Sequence, residues 1–342
     1  MEQLKVQPPV VIYGRRGYSF PYAIYLHGTA AILKNLVSYA SGAHEGFDKD
    51  IFIETPRLGN GKVKISICLP DNYNKRPKPV ILVLEGGGFV LGEPKDGAKN
   101  DRKLTKETGA IVISIDYAKS PRYDYPHALL QAYAVLKWAL STKAELNGIF
   151  VDHARVGIMG NSAGGNLTAA LSLLISFNSG PCAAFRKELG PDFQQVLQVL
   201  LYPSVELHHS YTTRFERTSP DVQAKSLPTW VATMMEGSYL PPYIEKEQIF
   251  VAPLVADVGL LRELKIPKTL VITAGKDCLK DEAAAYAENL KAAGHEVSLT
   301  EYPESIHGFT HYQEGSKEYR GEDVVGSWME VCRAFNEAFS LG

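Results

Sequence analysis

The stretch Val156-Gly157-Ile158-Met159-Gly160-Asn161-Ser162-Ala163-Gly164-Gly165-Asn166-Leu167 reads as a strand, a Gly-x-Ser-x-Gly turn and the opening of a helix rich in Ala and Leu. A turn this sharp holds the Ser162 hydroxyl above the strand ends, beside a helix N-terminus. It needs small neighbours because its backbone runs close to adjacent elements. Gly-x-Ser-x-Gly alone says little, since both residue types are common. Its place between strand and helix gives it weight.

Outward from this turn, short β-branched runs alternate with helical patterns. The expected strands are Ile51–Glu54, Val63–Leu69, Val80–Leu84, Ile111–Ile115, Val156–Gly160, Val196–Tyr202, Thr269–Thr273 and Val297–Tyr302. Val80–Leu84 is continuously apolar, as a strand covered on both faces is. Helical stretches are expected at Leu129–Leu140, Ala163–Ile175, Glu282–Ala293 and Val324–Phe339. The alternation implies a mostly parallel sheet wrapped by helices. Residues 1–45 and about 206–250 break the pattern and are expected to fold over a catalytic domain of residues 46–342 as a lid. The first of these carries an amphipathic helix within Tyr18–Tyr39.

Composition narrows the function. Of 342 residues, 45% are apolar and the net charge is −2, which offers no basic excess for nucleic acid or an anionic membrane. Four scattered cysteines without a Cys-x-x-Cys pair argue against a disulfide scaffold or a structural zinc site. The N-terminus lacks a signal-peptide pattern, no stretch suits stable membrane insertion, and the C-terminal Ser-Leu-Gly is not the peroxisomal Ser-Lys-Leu. A cytoplasmic protein is expected, with a homodimer left open. Asn166-Leu167-Thr168 is a glycosylation triplet, but a glycan there would collide with the core.

A serine nucleophile needs a base and an acid to orient that base, in the chain order Ser, Asp or Glu, His. Asp277 follows the strand Thr269–Thr273, where sheet-borne sites are built. Asp281 and Glu282, one turn later, read better as helix-capping acids. Of nine histidines, His307 follows the last strand in a short loop with Gly308 and Phe309, and His311 is its rival. His208 and His209 have no ligand-spaced partners and read as solvated lid residues, so no metal is expected. Donors for an oxyanion are expected from Glu85-Gly86-Gly87-Gly88-Phe89, directly after a buried strand.

These motifs together resemble the hormone-sensitive-lipase-like group of α/β-hydrolases. That family has His-Gly-Gly-Gly, Gly-Asp-Ser-Ala-Gly-Gly, Asp-x-Leu-x-Asp-Glu and His-Gly-Phe in this order. Gly86–Gly88, Gly160–Gly165, Asp277–Glu282 and His307–Phe309 match them. The resemblance implies the α/β-hydrolase fold, with a sheet of about eight strands and a helical lid. It also implies a carboxylic ester hydrolase working through an acyl-enzyme, without a cofactor, on a small-molecule ester or related metabolite. Ser162, Asp277 and His307 would form the triad, and the amides of Gly87, Gly88 and Ala163 the oxyanion hole. Two other readings are a biosynthetic enzyme of the same fold and a non-enzymatic receptor for a small ligand. Retention of all three triad residues argues against the receptor.

Three positions depart from the family pattern: Glu85 for histidine, Asn161 for aspartate, and Ala118 where arginine commonly follows Asp116-Tyr117. An ionised Glu85 within about 4 Å of a developing oxyanion would repel it by about 4 kcal/mol at an effective dielectric of 20. Two orientations avoid this. Either Glu85 accepts backbone N–H groups beneath the glycine loop and braces it, or it is protonated or reaches the substrate elsewhere to move a proton.

Overall fold

A computed structural model describes residues 6–13, 17–40 (backbone only from 34) and 46–340. The extreme termini, read above for targeting signals, and the end of the N-terminal segment expected to act as a lid lie outside the described residues.

All eight expected strands form: β1 (Lys49–Glu54), β2 (Lys62–Cys68), β3 (Lys78–Leu84), β4 (Ile111–Asp116), β5 (Val151–Asn161), β6 (Gln195–Leu201), β7 (Lys268–Lys276) and β8 (Val297–Ile306). They join one sheet in the order β1-β2-β4-β3-β5-β6-β7-β8. β2 is antiparallel to both of its neighbours, and every pair from β4 to β8 is parallel. Parallel neighbours need crossovers, and the helices between the strands supply them.

β3 shows why its run is unbroken by polar residues. Val80, Leu82 and Leu84 enter one core with the helices His127–Ala139, Ala163–Leu174 and Lys280–Ala292. Ile81 and Val83 enter a second core on the other face, against the helices Pro94–Thr108 and Gly321–Ser340. Fully burying each such side chain stabilises the fold by about 1.5–3 kcal/mol. With both faces covered, the free surface of the parallel sheet is the row of strand C-terminal ends, where its loops meet.

The expected N-terminal helix spans Phe20–Ala40. Leu26 and Ala30 of that helix pack with Met234 and Met235 of the helix Thr229–Tyr239 and with Val90. The Tyr18 hydroxyl donates to the carbonyls of Gly237 and Leu240. The two segments that interrupt the alternation thus meet each other above the loop that follows β3.

Candidate active site

Ser162 directly follows β5, at the N-cap of the helix Ala163–Leu174, with φ 54° and ψ −118°, a conformation L-residues rarely adopt, and its amide donates to Leu201 O of β6. Such local strain persists where the surroundings over-determine it. Two residues on, Gly164 lies so close to β3 that a Cβ would stand 1.8 Å from Leu84 O. The small residues of the turn therefore answer to a neighbouring strand, as the sequence pattern requires.

The loops after β7 and β8 carry Asp277 and His307 to the same point. His307 Nε2 is 2.8 Å from Ser162 Oγ, and His307 Nδ1 is 2.6 Å from Asp277 Oδ2. Asp277 is buried, and its other oxygen accepts the Leu279 amide at 3.0 Å. Burial alone would lower the His307 pKa. The charge and hydrogen bond of Asp277, with a smaller contribution from Glu282, outweigh it and raise the value. A carboxylate on Nδ1 leaves Nε2 of the neutral ring as an acceptor for the serine proton.

The loop after β3 faces these groups. Gly87 has φ 112° and Gly88 φ 59°, and the Gly87 carbonyl accepts the Val90 and Leu91 amides. In a planar trans peptide the Gly88 N–H points opposite to that carbonyl. Gly87, Gly88 and Ala163 line a cavity of about 290 Å³ with Ser162, Asp277 and His307. Most of its remaining wall is apolar, including Phe89, Leu207, Leu227, Met235 and Leu279.

The structure corrects three expectations. Glu282 does not cap its own helix. It is buried, its Oε1 accepts the amides of Val205 (2.7 Å) and Glu206 (3.1 Å), and its Oε2 meets Arg214 Nη1 at 2.8 Å. Arg214 also pairs with Glu236, which lines the cavity, so one buried cation ties the interrupting segment to the acid loop. Asp281, by contrast, is exposed in the helix's first turn.

Glu85 turns away from the cavity but does not brace the loop through backbone amides. The Gly86 amide is taken by Asn161 Oδ1 at 2.6 Å, and the Glu85 carboxylate meets His311 Nε2 at 3.2 Å instead. His311, the rival base, is therefore held on a different acid, away from Ser162. No sequence pattern links residues 85 and 311, and only the fold brings them together.

His208 and His209 do have a nearby carboxylate, Glu206, two residues before His208, and the three could share an ion. Arg217 already pairs with Glu206 at 2.8 Å and lies 3.3 Å from His209 Nδ1, and its positive charge opposes a metal there. At the third departure, Ala118, the next residue supplies the cation. Lys119 bonds Asp116 and sits 3.6 Å over the Tyr117 ring.

Comparison with known proteins agrees with this architecture. The family model described as the alpha/beta hydrolase fold matches residues 81–311. Carboxylesterase NlhH of Mycobacterium tuberculosis is 30% identical over 235 residues, covering 68% of this chain and 67% of that protein. Neutral cholesterol ester hydrolase 1 of Bos taurus is 27% identical over 68% of this chain and 67% of its own length. Among solved structures, a thermostable esterase from Pseudomonas putida superposes with TM-score 0.73 at 25% identity, over 95% of this chain and 98% of that one.

Proposed function

The chain belongs to the α/β-hydrolase fold family, and from that premise we propose that it hydrolyses small carboxylic esters through an acyl-enzyme on Ser162. The observation that carries this is the two-sided engagement of His307, with Ser162 Oγ on one nitrogen and Asp277 on the other.

Ser162 Oγ attacks the acyl carbon as His307 Nε2 takes its proton. Asp277 keeps the proton of Nδ1 in place and stabilises the imidazolium. The amides of Gly87, Gly88 and Ala163 receive the oxyanion. His307 then returns the proton to the leaving alcohol, and a water activated the same way releases the acid. No step calls on a metal or organic cofactor. Glu85 is absent from the cavity wall, which counts against the proton-transfer role considered for it and so against the biosynthetic reading.

A cavity of about 290 Å³ sits at the small end of ligand clefts and supports a small ester as substrate. Residues 1–45 and 206–250 serve as the lid in this reading. Ala232, Met235 and Glu236 of the helix Thr229–Tyr239 form part of the cavity wall, and the helix Phe20–Ala40 packs on that helix. Among the described residues no helix is long and apolar enough to cross a membrane.

The test is hydrolysis of p-nitrophenyl esters of increasing acyl length, with mass-spectrometric location of an organophosphonate label. Turnover lost in Ser162→Ala and a label on Ser162 are expected. A label on another serine, or undiminished turnover in Ser162→Ala, would overturn the mechanism.

A further inference from the structure

We propose that Glu85 and His311 form a second carboxylate–imidazole couple that positions the oxyanion loop, acting on Gly86 through Tyr202 and Asn161. This role presupposes the hydrolase reading above and names the side chains that hold its oxyanion donors in place.

The loop is anchored at successive residues, and the anchors converge on one ring. The Glu85 backbone carbonyl accepts the Tyr117 hydroxyl at 2.6 Å, while its buried carboxylate runs behind the loop to His311 Nε2 at 3.2 Å. Gly86 N donates to Asn161 Oδ1 at 2.6 Å. A backbone amide can only donate, which fixes the Asn161 oxygen toward the loop and its Nδ2 toward the other side. On that side Nδ2 is 3.5 Å from His311 Nδ1, and the Asn161 amide also hydrogen-bonds the Tyr202 hydroxyl. His311 Nδ1 completes the circuit, 2.9 Å from Thr310 Oγ1 and 3.2 Å from the Tyr202 hydroxyl.

Glu85 and Asn161, both departures from the family pattern, thus share one histidine. A buried carboxylate needs a cation or donors to be tolerated, and His311 supplies them. Space for Glu85 is built as well. A Cβ on Gly97, in the helix Pro94–Thr108, would lie 1.9 Å from Glu85 Oε1. Around the couple stand Asp96, Asp101, Tyr117, Tyr202 and the Trp328 ring. Burial, and then the charge of Glu85, push the Asp101 carboxyl well above its usual range.

Protonation of His311 changes what the circuit can do. With the neutral ring giving its Nε2–H to Glu85, Nδ1 is an acceptor and suits the hydroxyls and the Asn161 N–H. In the imidazolium Nδ1 is a donor, and it faces the Asn161 amide N–H with no lone pair between them. Burial disfavours the imidazolium, but Glu85, by charge and hydrogen bond, outweighs this and raises the pKa. The imidazolium of His311 therefore persists to higher pH than that of a free histidine.

Glu85→Gln, His311→Gln, the double variant and Tyr202→Phe would be assayed on p-nitrophenyl acetate from pH 5 to 9, with Ser162 phosphonate labelling and thermal melts. Loss of an interaction made in the transition state lowers kcat while KM holds. Each glutamine variant is expected to lower kcat about 10- to 100-fold, short of the about 10²–10³ for deleting a donor outright, with KM within about threefold. The double variant should fall no further than the worse single, because the two residues act as one unit. Tyr202→Phe, which removes only a hydroxyl, should lose less. Wild-type kcat/KM should fall with two ionisations on the acid side, and His311→Gln with one. Unchanged kcat in folded His311→Gln, or losses that multiply in the double, would overturn the couple. If His311→Gln does not fold, a single acid-side ionisation in the wild type, or full activity in Tyr202→Phe, overturns it. A wild type that neither labels at Ser162 nor turns over any ester would instead remove the hydrolase reading, and the couple with it.

Discussion

His307 and His311 lie four residues apart, each gripped by a carboxylate and each beside Tyr202, yet they face different company. His307 presents its second nitrogen to a serine in a cavity, 2.8 Å from Oγ. His311 presents its own to Thr310, Tyr202 and Asn161, none of which lies on the turn as a nucleophile. The Tyr202 ring meets the His307 ring edge-on at 5.0 Å and sends its hydroxyl to His311, so one side chain separates the two couples. In both imidazoles burial lowers the pKa and the partner carboxylate outweighs it, so both are raised. A raised pKa therefore does not mark the base in this molecule. What the free nitrogen can reach does.

The sharpest way to break the comparison is to remove each ring. His307→Ala should cost about 10⁴–10⁶ in turnover, as triad members do when deleted, against the far smaller loss expected for His311→Gln. Equal losses in steady-state assays would mean the two couples had been told apart wrongly.

The acids come next. Asp277→Asn should cost about 10⁴ in kcat, because the imidazole loses its tautomer partner, while exposed Asp281→Asn should stay within about twofold of wild type. The pH profile gives the sign. Asp277 raises the His307 pKa, and only the neutral ring accepts the serine proton. Wild-type kcat/KM should therefore rise with pH through an ionisation above the ordinary histidine value. In Asp277→Asn that limb should move to lower pH. A shift the other way would detach Asp277 from His307.

A smaller effect separates charge from space. Gly97→Ala adds no charge and, in a helix, carries a propensity gain of about 1 kcal/mol. Its Cβ would nonetheless push on the Glu85 carboxylate, so kcat should drop by about tenfold, a fraction of what one oxyanion donor supplies, without a fall in melting temperature. Full activity would mean that the placement of Glu85 does not matter to the loop. The smallest effect belongs to the segment proposed as a lid. Removing residues 1–20 takes away Tyr18 and its bonds to Gly237 and Leu240. Acyl-length preference should shift by a few-fold while acetate turnover stays within about threefold, since selectivity in an apolar pocket changes in small steps per methylene.

The central strands were legible because both faces of the sheet are covered there, so β3 and β4 are near-continuous apolar runs, while β2 was legible from its alternation of polar and apolar residues. The helix Pro94–Thr108 was not legible for the opposite reason. It buries Pro94, Gly97, Ala98, Asp101, Leu104 and Thr105, a face of small and polar groups with no apolar stripe at helical spacing. The residues proposed as the triad could be read because each sits beside a strand end with its own local motif. Glu85 stood out only as a misfit, and its partner is 226 residues away in the chain. Glu282 looked like a helix-capping acid because its position in the first turn is local, whereas its bonds to Val205, Glu206 and Arg214 are not.

The void at Gly97 also orders the steps by which such a site can arise. Glutamate at position 85 cannot take this orientation while any side chain occupies position 97, because even one methyl group would sit inside the carboxylate's van der Waals radius. A histidine-to-glutamate change in this loop therefore reaches this orientation only where position 97 already is glycine, or becomes so in the same step. Once Glu85 and His311 have paired, any side chain added at position 97 is opposed by a residue in another segment of the chain.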